Sequence, residues 1–160
     1  MKQIFKLLLF APLLVGCTTE QPYKGPKLQL QYVEEGTLVT SSVQEMKEVA
    51  FDNKIDSVFY IGDDDCSACS NLKSNITNWC SNNHANIYYI EYTSLNTDDL
   101  NLLESITKDS DYDWNAEKAS LPATYFMMQG YIIFKGASDN TMKYLKRYVE
   151  VVDTTSSTNQ

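Results

Sequence analysis

The sequence predicts an α/β domain, a mixed sheet with helices on both faces in the element order βαβαβαββα. Three observations predict it. The run Ser57-Val58-Phe59-Tyr60-Ile61 is apolar without alternation, as in a strand covered on both sides. Segments with helical spacing of apolar residues alternate with short strand-like runs. Late in the chain, Ala123 to Met128 and Tyr131 to Phe134 flank Gln129-Gly130, which reads as a tight hairpin turn and adds antiparallel pairing.

Each element has its own local signal. Leu28, Leu30 and Tyr32 alternate with Gln29, Gln31 and Val33, giving the first strand. Ser42-Val43-Gln44-Glu45 matches a capping box, after which Val43, Met46, Val49 and Ala50 recur at helical spacing to about Asn53. The strand at 57 to 61 follows, then a helix over roughly 67 to 83 with Cys69, Leu72, Ile76, Trp79 and Cys80 on one face. Ile87 to Tyr92 is the third strand, and Asp98 to Ile106 is a helix with Leu100, Leu103 and Ile106 on one side. An acidic connection, Thr107 to Ser120, leads to the hairpin. The last helix is predicted over about 139 to 152, with Met142, Leu145, Tyr148, Val149 and Val152 on one face.

The ends read differently from this folded part, 28 to 152. Met1 to Lys6 is a short basic start, and Leu7 to Val15 is an apolar run too short to span a bilayer, so residues 1 to 16 fit a secretory signal. Leu14-Val15-Gly16-Cys17 looks like the bacterial lipobox, whose cysteine is acylated. Cys17 is therefore expected to carry lipid, residues 17 to 27 to form a tether, and 153 to 160 a disordered Thr/Ser tail. This places the domain on the extracytoplasmic face of a bacterial cell envelope, held to the membrane by its lipid anchor. The whole chain carries 13 basic and 21 acidic residues; removing 1 to 16 takes Lys2 and Lys6, leaving 11 against 21 and a net charge of −10. Such a chain does not seek nucleic acid by charge.

Three cysteines remain after Cys17. Cys66-Ser67-Ala68-Cys69 stands between an apolar strand and a helix, so the first sulfur lies over the helix's unpaired N–H groups, where partial positive charge favours a thiolate. The second, three residues on, can close a ring with it. Cys80 falls on the apolar face and reads as core. Cys66, Cys69, Cys80 and His84 also have zinc-like spacing, but eleven helical residues would put Cys69 and Cys80 roughly 16 Å apart, too far to share a metal. His84 reads as a solvated helix cap. Asp109, Asp111 and Asp113 begin like a calcium loop, yet Trp114 stands at its glycine position and Ser120 at its glutamate position. No metal and no cofactor are predicted.

With its C-x-x-C after the second predicted strand, Leu121-Pro122 before the fourth, and Gly130 and Gly136 around the hairpin, the chain resembles the thioredoxin-like family over nearly all of 28 to 152. The resemblance implies that Cys66 is the exposed nucleophile, that Cys69 resolves the mixed disulfide, and that the two form a redox-active disulfide. It also implies a cis Pro122 facing the pair, with the Leu121 backbone turned outward to a bound protein substrate. Read without the resemblance, Pro122 could simply mark the trans start of an edge strand.

The chain departs from the family pattern at two places. Asp63-Asp64-Asp65 precedes Cys66 where a tryptophan is usual; three carboxylates oppose the helix terminus and should raise the thiol pKa, unless one caps the helix and the others are screened by water. A less stabilised thiolate favours the disulfide form and points to reduction or isomerisation. Tyr60 stands where the family has a buried acid, and is a poor base near neutral pH. The expected function is therefore a membrane-tethered thiol–disulfide oxidoreductase acting on protein disulfides outside the cytoplasm, fed by an electron donor of the membrane or the extracellular space. The alternative is a thioredoxin-like accessory or binding module, as in bacteriocin export, with a mainly structural disulfide.

Overall fold

In the computed structural model the chain is described over residues 23–114 and 121–153; the signal segment, Cys17, the first part of the tether and nearly all of the tail lie outside them. A five-stranded mixed sheet forms the centre, built from β2 (Leu38–Thr40), β4 (Ile87–Glu91), β3 (Ser57–Gly62), β5 (Ala123–Met128) and β6 (Tyr131–Gly136) in that spatial order. β2, β4 and β3 are parallel, whereas β5 and β6 are antiparallel to their neighbours. With helices on both faces, this is a thioredoxin-like α/β fold.

The apolar run of β3 has two destinations. Val58 and Tyr60 point to one face, where they join Leu72, Ile76 and Trp79 of α2 (Ser67–Asn83) and Leu145 of α4 (Thr141–Tyr148). Phe59 and Ile61 point to the other, against Val43 and Met46 of α1 (Val43–Met46) and Leu103 of α3 (Thr97–Thr107). Two-residue periodicity thus divides one unbroken apolar segment between two cores, which is why no polar residue interrupts it.

The element order differs from the predicted one by two strands. The first strand, β1 (Leu28–Gln31), lies outside the central sheet and pairs in parallel with β7 (Val149–Val152). The sheet's edge is instead the three-residue β2, too short to show alternation. The last helix stops at Tyr148 rather than continuing to 152, because three of the next four residues are valines, whose branched side chains favour the extended chain. The β1–β7 ribbon closes over the α2/α4 face, with Leu28, Leu30 and Val149 buried in that core.

Several local predictions hold in detail. Ser42 caps α1 by accepting a hydrogen bond from the Glu45 N–H at 3.1 Å, although the Glu45 carboxylate takes its own hydrogen bond from the Ser41 hydroxyl at 2.9 Å. The helix then widens into a π-helical turn over Lys47–Asp52. α3 is held by a full capping box between Asn96 and Asp99. Gln129 and Gly130 have φ of 51° and 89°, the left-handed values that a two-residue hairpin of this type requires.

Candidate functional site

At the C-terminal end of β3, residues 63 to 66 form the turn that delivers the cysteines. The Cys66 N–H donates to the Asp63 carbonyl at 3.2 Å, and the Asp65 N–H donates to the Asp63 carboxylate at 2.8 Å, so one of the three aspartates is used within the turn itself. Asp64 pairs with Lys73 of α2 at 2.8 Å, an exposed contact worth under about 1 kcal/mol. Asp65 is exposed.

Cys66 is the N-cap of α2, and its sulfur accepts a hydrogen bond from the Cys69 N–H at 3.2 Å. The cap position normally taken by a serine or aspartate oxygen is thus held by the sulfur, at the positive end of the helix dipole. Cys66 and Cys69 are joined in a disulfide. Their exposures differ sharply: Cys66 is half-buried, whereas Cys69 is 1% exposed. A partner can approach only the first sulfur.

The peptide bond between Leu121 and Pro122 is cis, as the resemblance implied. Ile61 pairs with Ala123 across β3 and β5, so Leu121-Pro122 enters the sheet at the end from which 63 to 66 departs. Pro122 is buried and Leu121 partly so. The start of β5 is held to α4 by a hydrogen bond of 3.0 Å between the Thr141 and Thr124 hydroxyls. Disulfide and cis proline therefore share one end of the sheet.

Beneath the cysteine turn lies a polar layer that the sequence did not single out. The Tyr60 hydroxyl, on a fully buried residue, donates to the Cys69 carbonyl at 2.8 Å. Its ring stacks on Tyr89 of β4 with centroids 5.4 Å apart, and the Tyr89 hydroxyl donates to the carboxylate of Glu91. Lys73, one helical turn beyond Cys69, places its ammonium 4.1 Å above the Tyr89 ring. Burial first, then the negative charges of Glu91 and Asp64, pushes the Tyr60 phenol upward from its ordinary pKa. Tyr60 is thus a permanent donor at physiological pH. In the sequence Glu91 is read only as part of the third strand; the β3–β4 register that sets it opposite Gly62 is not legible there.

The remaining candidates are dispersed. Cys80 is fully buried with a free thiol, which burial pushes up to about 11, in keeping with a core role. His84 is exposed at the left-handed C-cap of α2, with Nδ1 3.0 Å from the Glu34 carbonyl oxygen and its ring stacked on Tyr32. The Asp113 carbonyl accepts from Lys135, and Trp114 is buried. Among the described residues no three metal-ligating side chains gather around one point, and no helix is long and apolar enough to cross a membrane. Cys17 lies outside the described residues.

No family model and no curated protein matches this sequence. Among solved structures, oxidised thioredoxin O1 of Arabidopsis thaliana is similar at 16% identity and a TM-score of 0.47, over 70% of this chain and 98% of that one. Thioredoxin of Aeropyrum pernix is similar at 14% identity and a TM-score of 0.46, over 73% of this chain and 98% of the other. The fold assignment rests on the strand order and on the disulfide at the sheet end, and no activity is carried over from likeness at this level. The site itself, a C-x-x-C disulfide capping a helix in a thioredoxin-like fold, fits thiol–disulfide oxidoreductase chemistry.

Proposed function

We propose that this protein is a membrane-tethered thiol–disulfide oxidoreductase that reduces or isomerises protein disulfides outside the cytoplasm. The observation that carries the reading is the unequal exposure of two bonded sulfurs at one helix N-terminus: half-buried Cys66 against Cys69 at 1%. A reduced Cys66 attacks one sulfur of a substrate disulfide, forms a mixed disulfide and releases the other as thiolate. Cys69, shielded from outside attack, then displaces the substrate from Cys66 and closes the Cys66–Cys69 bond. Two electrons pass from the dithiol to the substrate, and a dithiol donor outside the cytoplasm must return them.

The reducing or isomerising direction is supported by the acidic turn. Asp63, Asp64 and Asp65 directly precede Cys66, and their carboxylates would disfavour a further negative charge on its sulfur and so favour the disulfide form. The Leu121 backbone, beside the cis Pro122, would pair with the substrate chain. The tether follows from the lipobox-like Leu14 to Cys17, which would fix the domain to the outer surface of the membrane.

Equilibration of the Cys66–Cys69 pair with dithiothreitol or glutathione tests the reading. A reduction potential near or below about −250 mV supports a reductase, on the scale where thioredoxin lies near −270 and DsbA near −120. A value near about −120 mV would make the protein an oxidant. A pair that never exchanges would leave the accessory or binding module, with a structural disulfide. For the tether, acylation of Cys17 in the bacterial host is expected, and a Cys17→Ser chain should leave the membrane fraction.

A further inference from the structure

We propose that the end of the domain opposite the disulfide is a membrane-contact surface, where Tyr32, Ile55 and Tyr131 rest among lipid headgroups while the Cys66–Cys69 pair points into the aqueous space. The inference rests on the tethered oxidoreductase reading and names the side from which its substrates come.

The strands define the two ends. β3 delivers the cysteine turn from its C-terminal end, so the far end lies at Ser57, which pairs with Met127 just ahead of the Gln129-Gly130 turn. Tyr131 opens β6 beside that turn and is 74% exposed. Ile55, two residues before β3, is 53% exposed. Tyr32 pairs with Ala85 ahead of β4, stacks on His84 at the C-terminal cap of α2, and is 41% exposed. Among the described residues these are the large apolar side chains left exposed, and all three stand at this end. Val33, Ile55 and Gln129, next to or among them, line one groove. Exposed apolar side chains scattered singly are ordinary; three gathered at one end mark a surface.

The route of the chain says what covers this surface. α4 starts beside Thr124 at the cysteine end and runs away from it to Tyr148, and the next residue, Val149, pairs with Leu28. Tyr23 packs edge-on against Tyr148 with ring centroids 4.7 Å apart, and Tyr148 stacks on Phe134 at 4.4 Å. The tether is thus pinned to the domain at Tyr23, beside the helix end that lies away from the cysteines. Cys17 precedes Tyr23 by six positions, a reach of roughly 20 Å at full extension. The six residues of β3 alone set the cysteine turn about 20 Å from the far end. A lipid on Cys17 therefore brings the far end to the bilayer easily. Bringing the cysteine end down would stretch the whole tether along the domain or pull Tyr23 off Tyr148.

The side chains suit a headgroup layer. Tyrosine joins an apolar ring to a hydroxyl, the combination favoured where hydrocarbon meets water. Lys54, whose stem lies over Gly130 in the turn, and Lys24 and Lys27, exposed on the way into β1, bring cations against the exposed carboxylates of Glu34 and Glu35. Asp56 is engaged by two backbone N–H groups. Charge is close to balance at this end, so the contact depends on the anchor holding the apolar side chains at the surface rather than on attraction of a free domain. With this end down, the disulfide stands roughly 20 Å or more above the bilayer. Its substrates are then proteins that present a disulfide from the aqueous side, and the dithiol donor must reach the same height.

The test uses the lipidated chain in vesicles of phosphatidylethanolamine and phosphatidylglycerol with acceptor dye on a fraction of the headgroups. Cys66 and Cys69 are kept oxidised, and a donor dye is placed on Glu35→Cys at the far end or on Asp98→Cys, in the first turn of α3 at the cysteine end. Quenching by the lipid acceptor should be at least about twofold greater at Glu35 than at Asp98, given a separation of roughly 20 Å. Tyr32→Ser, Ile55→Ser and Tyr131→Ser combined should level the two signals and leave disulfide exchange with glutathione unchanged. Equal quenching at the two positions, or stronger quenching at Asp98, would overturn the contact surface and leave the tether standing. A triple variant that keeps the wild-type difference would overturn the part given to these side chains. Energy transfer between two copies labelled at Glu35, in place of transfer to lipid, would give the surface to a second copy of the chain and overturn the proposal. A Cys17 that carries no lipid by mass would overturn the tether and this inference together.

Discussion

The Tyr60 hydroxyl and the Cys69 carbonyl oxygen lie 2.8 Å apart, joining the middle of the central strand to the first turn of the cysteine helix. This single bond crosses from the sheet to the element carrying both sulfurs. It is buried, so its loss is not made good by water. Tyr60→Phe should lower the stability of the oxidised protein by about 1–2 kcal/mol in urea unfolding, with an unchanged denaturant slope. An unaltered midpoint would show that the helix turn is held by the disulfide and its N-cap alone.

Gly62 makes that bond possible. An alanine Cβ would stand 2.5 Å from the Tyr60 Oη and 2.7 Å from its Cζ, and the ring, packed in the core, has little room to withdraw. Gly62→Ala should therefore cost about 1–3 kcal/mol by forcing the tyrosine off Cys69. In a double-mutant cycle, the combination with Tyr60→Phe should cost less than the sum of the two single changes, because both break the same contact. Strict additivity, measured by urea unfolding of all four proteins, would separate the two residues.

Much of the fold was readable from local signals, and the places where reading failed are physically instructive. α2 begins and ends where the apolar face Cys69, Leu72, Ile76, Trp79 and Cys80 said it would, and Gln129-Gly130 forms the expected turn. β2 was invisible because three residues, Leu38 to Thr40, are too few to show a period. β7 was hidden because Val149 and Val152 also fit the helical spacing of α4, and only pairing with Leu28–Gln31 decides between the two periods. At the site, the disulfide and the cis proline were expected through the family resemblance that the C-x-x-C and Leu121-Pro122 carry. Tyr89, Glu91 and Lys73 were not, since their arrangement depends on strand register and on which face α2 covers.

Asp56 is the bolt between the β1–β7 ribbon and the sheet. Its two carboxylate oxygens accept from the Gln29 N–H at 2.9 Å and the Gln129 N–H at 3.0 Å, linking β1 to the β5–β6 turn. Asp56→Ala should cost about 1–2 kcal/mol and raise amide exchange at Gln29 and Gln129 together. Asp56→Asn, which keeps a single carbonyl oxygen, should restore protection at one of the two amides and not both.

Cys80 gives the protein an alkaline sensitivity. Burial pushes its thiol from the ordinary 9.0 up to about 11, so the folded state holds this proton more tightly than the unfolded chain. The stabilisation is complete below pH 9, where both states are protonated, and is lost as pH rises through 11, once the unfolded chain has ionised and the fold resists. Over that window the loss amounts to on the order of 2–3 kcal/mol. The buried phenols of Tyr60, Tyr88, Tyr89 and Tyr125 are also pushed upward by burial, and their unfolded forms are half ionised at pH 10. Between pH 9 and 10 the decline is therefore shared between Cys80 and these phenols, and the difference between wild type and a Cys80 variant isolates the part of Cys80. Urea unfolding of wild type and Cys80→Ala across this range should show a falling stability in the first and a flatter profile in the second, offset downward by the lost packing. Equal slopes in the two proteins would mean that Cys80 ionises as easily in the fold as outside it.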